Sequence, residues 1–185
     1  AGFEVAIATR AGHIYAPSPS RNIMKSHELL IDQTIIVTGA ATGIGQAFAL
    51  GAAAQGAHVV VADMNAADET MDLIAQAGGR ASYARVDVSD DASVRAMADA
   101  ALQATGRIDG LINNAAYFRE VKLTPFEELD PVIWDRIFQV NVKGVWLCCK
   151  AVMPAMRARG SGSIVNIASV VAVAGQPGYL HYVAT

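Results

Sequence analysis

Cysteine and surplus charge are both scarce in this chain. Only Cys148 and Cys149 occur among its 185 residues, adjacent within an apolar run, which matches neither a disulfide framework nor the ligand spacing of a zinc site. They read as buried thiols in a reducing compartment. Charged side chains make up 17% of the chain and aromatics 6%. Acidic residues outnumber basic ones by 17 to 14, a net charge of -3, so no cationic excess is available to hold nucleic acid or an anionic membrane surface. No stretch approaches the roughly 20 apolar residues of a membrane span, and the first residues lack the roughly 7 to 15 residue apolar core of a signal peptide. The expected partners are therefore small molecules, with no nucleic acid and no membrane, and the expected location is cytoplasmic.

What the chain does hold is core-forming material, 53% hydrophobic, enough for one globular domain. Residues 1–28 stand apart from residues 29–185. The first segment has a short alternation at Val5 and Ile7 and then a breaker cluster, Pro17, Ser18, Pro19 and Ser20. It reads as a mobile extension or non-native leader, with an ordered edge strand as the other reading.

From Thr34 onward short apolar stretches rich in Val and Ile alternate with helical lengths. Strands are predicted at 34–38, 58–62, 81–86, 110–113 and 163–168, and helices at 43–55, 66–77, 90–104 (after Ser89 as N-cap) and about 132–159. This order predicts an α/β fold, a doubly wound parallel sheet of Rossmann-like type. Ligands of such sheets sit beyond the carboxyl ends of the strands.

The first strong strand runs into "TGAATGIGQA", placing Gly39, Gly43 and Gly45 in a turn that opens a helix. Glycines there allow a tight turn and a close approach to a pyrophosphate, which the free amides of the helix start attract. A tight turn that binds nothing is the alternative. The next strand ends at Asp63, 18 residues after Gly45, close to the roughly 20 expected of a ribose-binding carboxylate. Such a carboxylate accepts from ribose hydroxyls and repels a 2′-phosphate, and Ala40, Ala41, Met64 and Asn65 offer no compensating cation. NAD is expected over NADP.

"TGAATGIG", "VDV" at 86–88, "NNAA" at 113–116, "VNVKG" at 140–144 and "NIAS" at 166–169 follow in order. Together they resemble the short-chain dehydrogenase/reductase family with a Thr-Gly-x-x-x-Gly-x-Gly turn, over about Ile31 to Thr185. The resemblance implies that Thr38 to Gly45, with Thr42 and Ile44, form the phosphate turn. It also implies that Asp87 and Val88 border the adenine, and that Asn114 and Ala115 line the inner half of the cofactor. Asn141, Ser169 and Tyr182 would be catalytic, and the 13-residue separation of Ser169 and Tyr182 selects Tyr182 over Tyr179. Ala116 stands where the family more often has glycine, while His58 and His181 fill no family role and read as surface or packing residues.

Interconverting a secondary alcohol and a ketone needs hydride transfer together with proton transfer at the substrate oxygen. A phenol, with a reference pKa of about 10, serves near neutral pH only beside a cation that favours phenolate. The family supplies a lysine four residues after its tyrosine, a position just past Thr185. The resemblance thus implies a sheet incomplete at its C-terminal side, an outer edge of the 163–168 strand left bare, and a 185-residue chain that is inactive alone. Val170, Val171, Pro177, Tyr179, Tyr117 and Phe118 suggest an apolar pocket for an uncharged alcohol or ketone. A homodimer or homotetramer is implied for the complete protein, through an apolar stripe at Leu147, Val152 and Met156 unless these pack on their own sheet. A non-catalytic dinucleotide-binding module is the rival reading.

Overall fold

The computed structural model describes residues 5–8, 29–118 and 120–185. Its strands are β1 Val5–Ala8, β2 Thr34–Thr38, β3 His58–Asp63, β4 Arg80–Arg85, β5 Gly110–Asn113 and β6 Ser163–Ile167, all parallel, in the order β1-β6-β5-β2-β3-β4. The helices between them are α1 Gly43–Ala54, α2 Asp68–Gln76, α3 Asp91–Thr105, α4 Pro131–Phe138 and α5 Val145–Arg159, followed by the single turns α6 Val171–Ala174 and α7 Leu180–Val183. The fold is the predicted doubly wound α/β sheet, and the strand stretches from Thr34 onward fall within about a residue of their expected bounds.

The two-sided apolarity of β2 explains the layers, since every residue of "TIIVT" is buried. Alternate side chains serve opposite faces. Ile35 and Val37 join Val59 and Val61 against the alanines of α1 (Ala49, Ala52, Ala53) and Ile74 of α2. Ile36 joins Val60 and Leu111 against Val94 and Met97 of α3 and Leu147, Cys148, Val152 and Met156 of α5. Each large aliphatic side chain so buried contributes about 1.5–3 kcal/mol. After β2 the chain adds β3 and β4 on one side, then returns to place β5 and β6 on the other. The crevice between β2 and β5 is thus a topological switch point, where ligands of such sheets bind.

One open alternative is decided and three expectations change. Leu147, Val152 and Met156 are at most 2% exposed and belong to the core, because their face of α5 packs on its own sheet. The outer edge of β6 is not bare: the Val5–Ala8 segment pairs with it, Val5 opposite Ile164 and Ala8 opposite Ile167. The rest of the arm, 1–4 and 9–28, lies outside the described residues. Ser89 does not cap α3; Asp90 does, accepting from Ala92 N–H and Ser93 N–H at 3.2 Å each. The long helix expected over 132–159 is interrupted by a π-helical turn at Gln139–Gly144 between α4 and α5. Such turns concentrate at functional sites, and this one carries Asn141.

Cys148 is buried and its thiol is pushed up to about 12 by burial, the inert kind of cysteine the sequence suggested. No helix among the described residues is long and apolar enough to cross a membrane.

Candidate active site

The turn after β2 depends on its glycines for different reasons. Gly39 and Gly43 adopt φ of +67° and +64°, the left-handed region. A Cβ on Gly39 would lie 2.8 Å from Ala115 Cα, and one on Gly45 only 2.0 Å from the Gly39 carbonyl oxygen. Gly43 has open space around it. Thr42 stands extended at the N-cap of α1 but its side chain caps no amide, so the positive end of the helix is left to whatever enters the crevice.

The opposite wall is the loop after β5. The Thr38 hydroxyl accepts from Asn114 N–H at 3.0 Å and Ala115 N–H at 3.1 Å. The Asn114 side-chain amide donates back to the carbonyls of Thr38 and Gly39 at 3.0 and 3.1 Å. Asn114 therefore braces the glycine turn as well as lining the crevice.

Asp63, half-buried at the end of β3, is aimed by its neighbours. Its Oδ2 accepts from Ala41 N–H at 2.9 Å and its Oδ1 from Asn65 N–H at 2.9 Å. The Asn65 side-chain amide also donates to Oδ1 at 3.3 Å, so Oδ2 is the oxygen that keeps lone-pair capacity for a further donor. Past β4, Asp87 accepts at Oδ1 from Ser89 N–H at 2.9 Å and from Ser89 Oγ–H at 2.6 Å, and its Oδ2 lies 3.6 Å from Arg136 Nη2. Burial pushes this carboxyl up, but the Ser89 bonds and the Arg136 guanidinium outweigh it and hold Asp87 below the usual carboxylate range.

These residues share a cleft of about 690 Å³. Gly39, Ala41, Thr42, Asp63 and Met64 line one part, and Asp87, Val88, Asn114, Ala115, Phe118 and Arg136 another. Of the residues singled out for cofactor binding, Gly39, Thr42, Asp63, Asp87, Val88, Asn114 and Ala115 line it. Gly43 and Ile44 are exposed and Gly45 buried at the start of α1. Apposed close-approach glycines, an uncapped helix start and an aimed carboxylate fit the pyrophosphate and ribose of a dinucleotide.

Asn141 and Tyr182 are brought together through Thr185. Asn141 accepts from Tyr117 N–H at 2.8 Å and donates to Thr185 Oγ at 3.1 Å, and that hydroxyl donates to the Tyr182 carbonyl at 3.0 Å. Tyr182 meets the cleft through Phe118, their ring centroids 4.5 Å apart. Ser169 follows β6 and accepts from Val171 N–H at 3.4 Å, a local bond of the kind its place at a strand end permits. His58 pairs with Ser82, Nε2 to Oγ 3.0 Å, and His181 is buried beside Tyr182; both are packing residues, as expected.

Residues 33–185 match the short chain dehydrogenase family, and the chain belongs to that family. It is 41% identical over 150 residues to the cis-4-hydroxycyclohexanecarboxylate dehydrogenase of Sinomonas cyclohexanicum, covering 80% of this chain and 59% of that protein. It is also 42% identical over 153 residues to the D-threitol dehydrogenase of Mycolicibacterium smegmatis, covering 81% and 57%. The solved structure of levodione reductase superimposes with a TM-score of 0.79 at 32% identity, over 84% of this chain and 61% of that one. The chain thus spans between half and two thirds of the length of such relatives. The family uses NAD(H) or NADP(H).

Sequence reasoning missed Arg136, the bracing role of Asn114, and Glu120, which accepts from the Tyr117 hydroxyl at 2.7 Å. Arg136 belongs to no motif. Its one signal is a cation in a mostly apolar stretch, Ile133 to Val140, just before Asn141.

Proposed function

We propose that the protein is an NAD-preferring oxidoreductase interconverting a secondary alcohol and a ketone, with Tyr182 as general acid and base. The observation that carries this reading is the ring of Tyr182 against Phe118, a wall of the same cleft that holds the glycine turn and Asp63. When bound, NAD supplies the hydride acceptor and NADH the donor. Tyr182 takes the carbinol proton in oxidation and returns one to the carbonyl oxygen in reduction. The Ser169 hydroxyl donates a hydrogen bond to that same oxygen and steadies the charge developing on it. Asn141 acts through Thr185, holding the turn that carries Tyr182.

Gly39, Thr42, Gly43, Ile44 and Gly45 would hold the pyrophosphate, Asp63 the adenosine ribose, Asp87 and Val88 the adenine, and Asn114 with Ala115 the inner half. The exposed apolar side chains Val170, Val173 and Leu180 beside the Ser169 and Tyr182 segments support an uncharged, hydrophobic substrate. The free cysteines suit a reducing cytoplasm.

In the full-length protein, Asp63→Ala is expected to weaken NAD binding roughly ten- to a hundredfold, the loss of hydrogen bonds to a charged acceptor, and to narrow the gap to NADP. Titrating both cofactors by quenching of protein fluorescence, alongside NADH absorbance with a panel of secondary alcohols, checks it. Equal or better kinetics with NADP in the unmodified protein overturns the preference. NAD binding with no turnover across the panel would favour a non-catalytic module.

For homo-oligomerisation through the helices, the outer face of the α4–α5 pair offers an apolar surface. There Phe138, Val142 and Trp146 surround a shallow apolar depression bordered by Asp135 and Lys143. Trp146 is 58% exposed and Val142 44%, and aromatic anchors of this kind dominate interface cores. A two-fold axis there would set Asp135 of one copy against Lys143 of the other. Trp146→Glu is expected to convert a dimer or tetramer into smaller species by light scattering, with the helical circular dichroism unchanged. A wild-type monomer at micromolar concentration would refute the assembly.

A further inference from the structure

Arg136 stands in the cleft without a role in any motif, and its surroundings are specific. It projects from α4 beside the fully buried Ile137 and is half-buried, its side chain 35% exposed, as is that of Asp87. Nη1 donates to Ser89 Oγ at 3.0 Å while Nη2 lies 3.6 Å from Asp87 Oδ2. Ser89 in turn spends both its amide and its hydroxyl hydrogen on Asp87 Oδ1. The Asp87 amide donates to Ser93 Oγ at 3.0 Å, fixing the backbone to α3.

Each member of this network has a consequence for the next. Ser89 saturates one carboxylate oxygen of Asp87 and sets the plane of the group. The other oxygen has only the Arg136 guanidinium near it among the described residues and can accept one more hydrogen bond. The planar guanidinium spans serine and carboxylate together, which a point-charge ammonium does not reproduce. The segment behind it is closely packed, since a Cβ on Gly144 would meet Val88 Cγ2 at 2.9 Å. The carboxylate is therefore held ionised, in one orientation, with one open acceptor on a cleft wall.

We infer that Arg136 is a positioning residue for base recognition, orienting Asp87 through Ser89 so that Asp87 Oδ2 accepts from the exocyclic amino group of an adenine. This rests on the reading of the cleft as a dinucleotide site. It adds a source of selectivity: the site would distinguish adenine from a purine with a carbonyl at the same position, because that oxygen would face the carboxylate as a second acceptor.

The experiment compares ADP-ribose with its hypoxanthine counterpart, inosine diphosphate ribose, by calorimetry on the full-length protein, with no turnover required. A charge-assisted hydrogen bond predicts that the wild type prefers the adenine ligand roughly tenfold or more. In Arg136→Met this preference is expected to shrink to within about twofold, mostly through weaker ADP-ribose binding, and in Arg136→Lys to fall between the two. The carboxamide control Asp87→Asn should also lose the preference. If Arg136→Met weakens both ligands equally and leaves their ratio intact, Arg136 only supports the fold and the inference is wrong. It is equally wrong if the wild type does not discriminate. Should Arg136→Met fail to fold, the ratio in Arg136→Lys decides on the same terms. A wild type that binds neither ligand would instead overturn the dinucleotide reading itself.

Discussion

Replacing Tyr182 by phenylalanine is expected to lower kcat in the full-length protein by roughly 10²- to 10⁴-fold, the usual contribution of a positioned proton-transfer group, with NAD binding changed less than about twofold. The substitution is close to surgical. The contact to Phe118 is made by the ring, which phenylalanine keeps, and the link to Thr185 and Asn141 uses the Tyr182 backbone carbonyl. Steady-state rates with a turned-over alcohol, beside a fluorescence titration with NAD, separate loss of chemistry from loss of binding. A rate within about tenfold of wild type, a barrier difference under about 1.4 kcal/mol, would remove Tyr182 from the chemistry.

The second large effect concerns the glycine turn, where three similar substitutions should differ widely. A methyl at Gly45 meets the Gly39 carbonyl oxygen at 2.0 Å and Asn114 Nδ2 at 2.5 Å, so backbone must move. Gly45→Ala is expected to cost about 1–3 kcal/mol or more through overpacking, lowering Tm by roughly 2–4 °C per kcal/mol for a domain of this size. Moving the two walls of the crevice apart should also abolish measurable NAD binding. Gly39→Ala combines a 2.8 Å approach to Ala115 Cα with a left-handed φ, and should fall close behind. Gly43→Ala has free space and suffers only its φ of +64°, a cost of roughly 1–2 kcal/mol. Thermal melts and NAD titrations of the three variants test the order. Gly45→Ala no worse than Gly43→Ala would contradict the close packing of α1 on the turn.

Where the sequence was informative, burial was the reason. Strands such as "HVVVAD" and "TIIVT" lie in the middle of a two-faced sheet, so nearly every position must be apolar and the run itself marks the strand. The same logic could not decide for Leu147, Val152 and Met156. Their spacing marks one face of α5 but not what that face meets, and apolar residues are also exposed outward, Val142 in the π turn and Trp146 in α5. The π turn left no trace because inserting one residue per turn changes hydrogen bonding without changing the residue types a helix favours. At the start of α3, Ser89 and Asp90 are both good N-caps, and tertiary demand separated them: Ser89 was needed by Asp87 and Arg136. β1 offered only two alternating residues, and what makes them a strand is an edge more than 150 residues further on, at Ile164 to Ile167. Of the cleft residues, those in a motif could be named in advance; Arg136 could not, because its partners, Asp87 and Ser89, lie in a segment far earlier in the chain.

The hydroxyl of Thr38 has a thermodynamic consequence. With Asn114 it ties the end of β2 to the end of β5 and the loop beyond by five hydrogen bonds, two accepted and one donated by Thr38 Oγ and two donated by the Asn114 amide. Fixing a backbone residue costs about 1–2 kcal/mol in conformational entropy, and here that cost is met when the chain folds, not when a nucleotide arrives. The crevice stands open and shaped in the free protein. Affinity can therefore come from a few well-aimed groups on its walls, with little ordering left to oppose association.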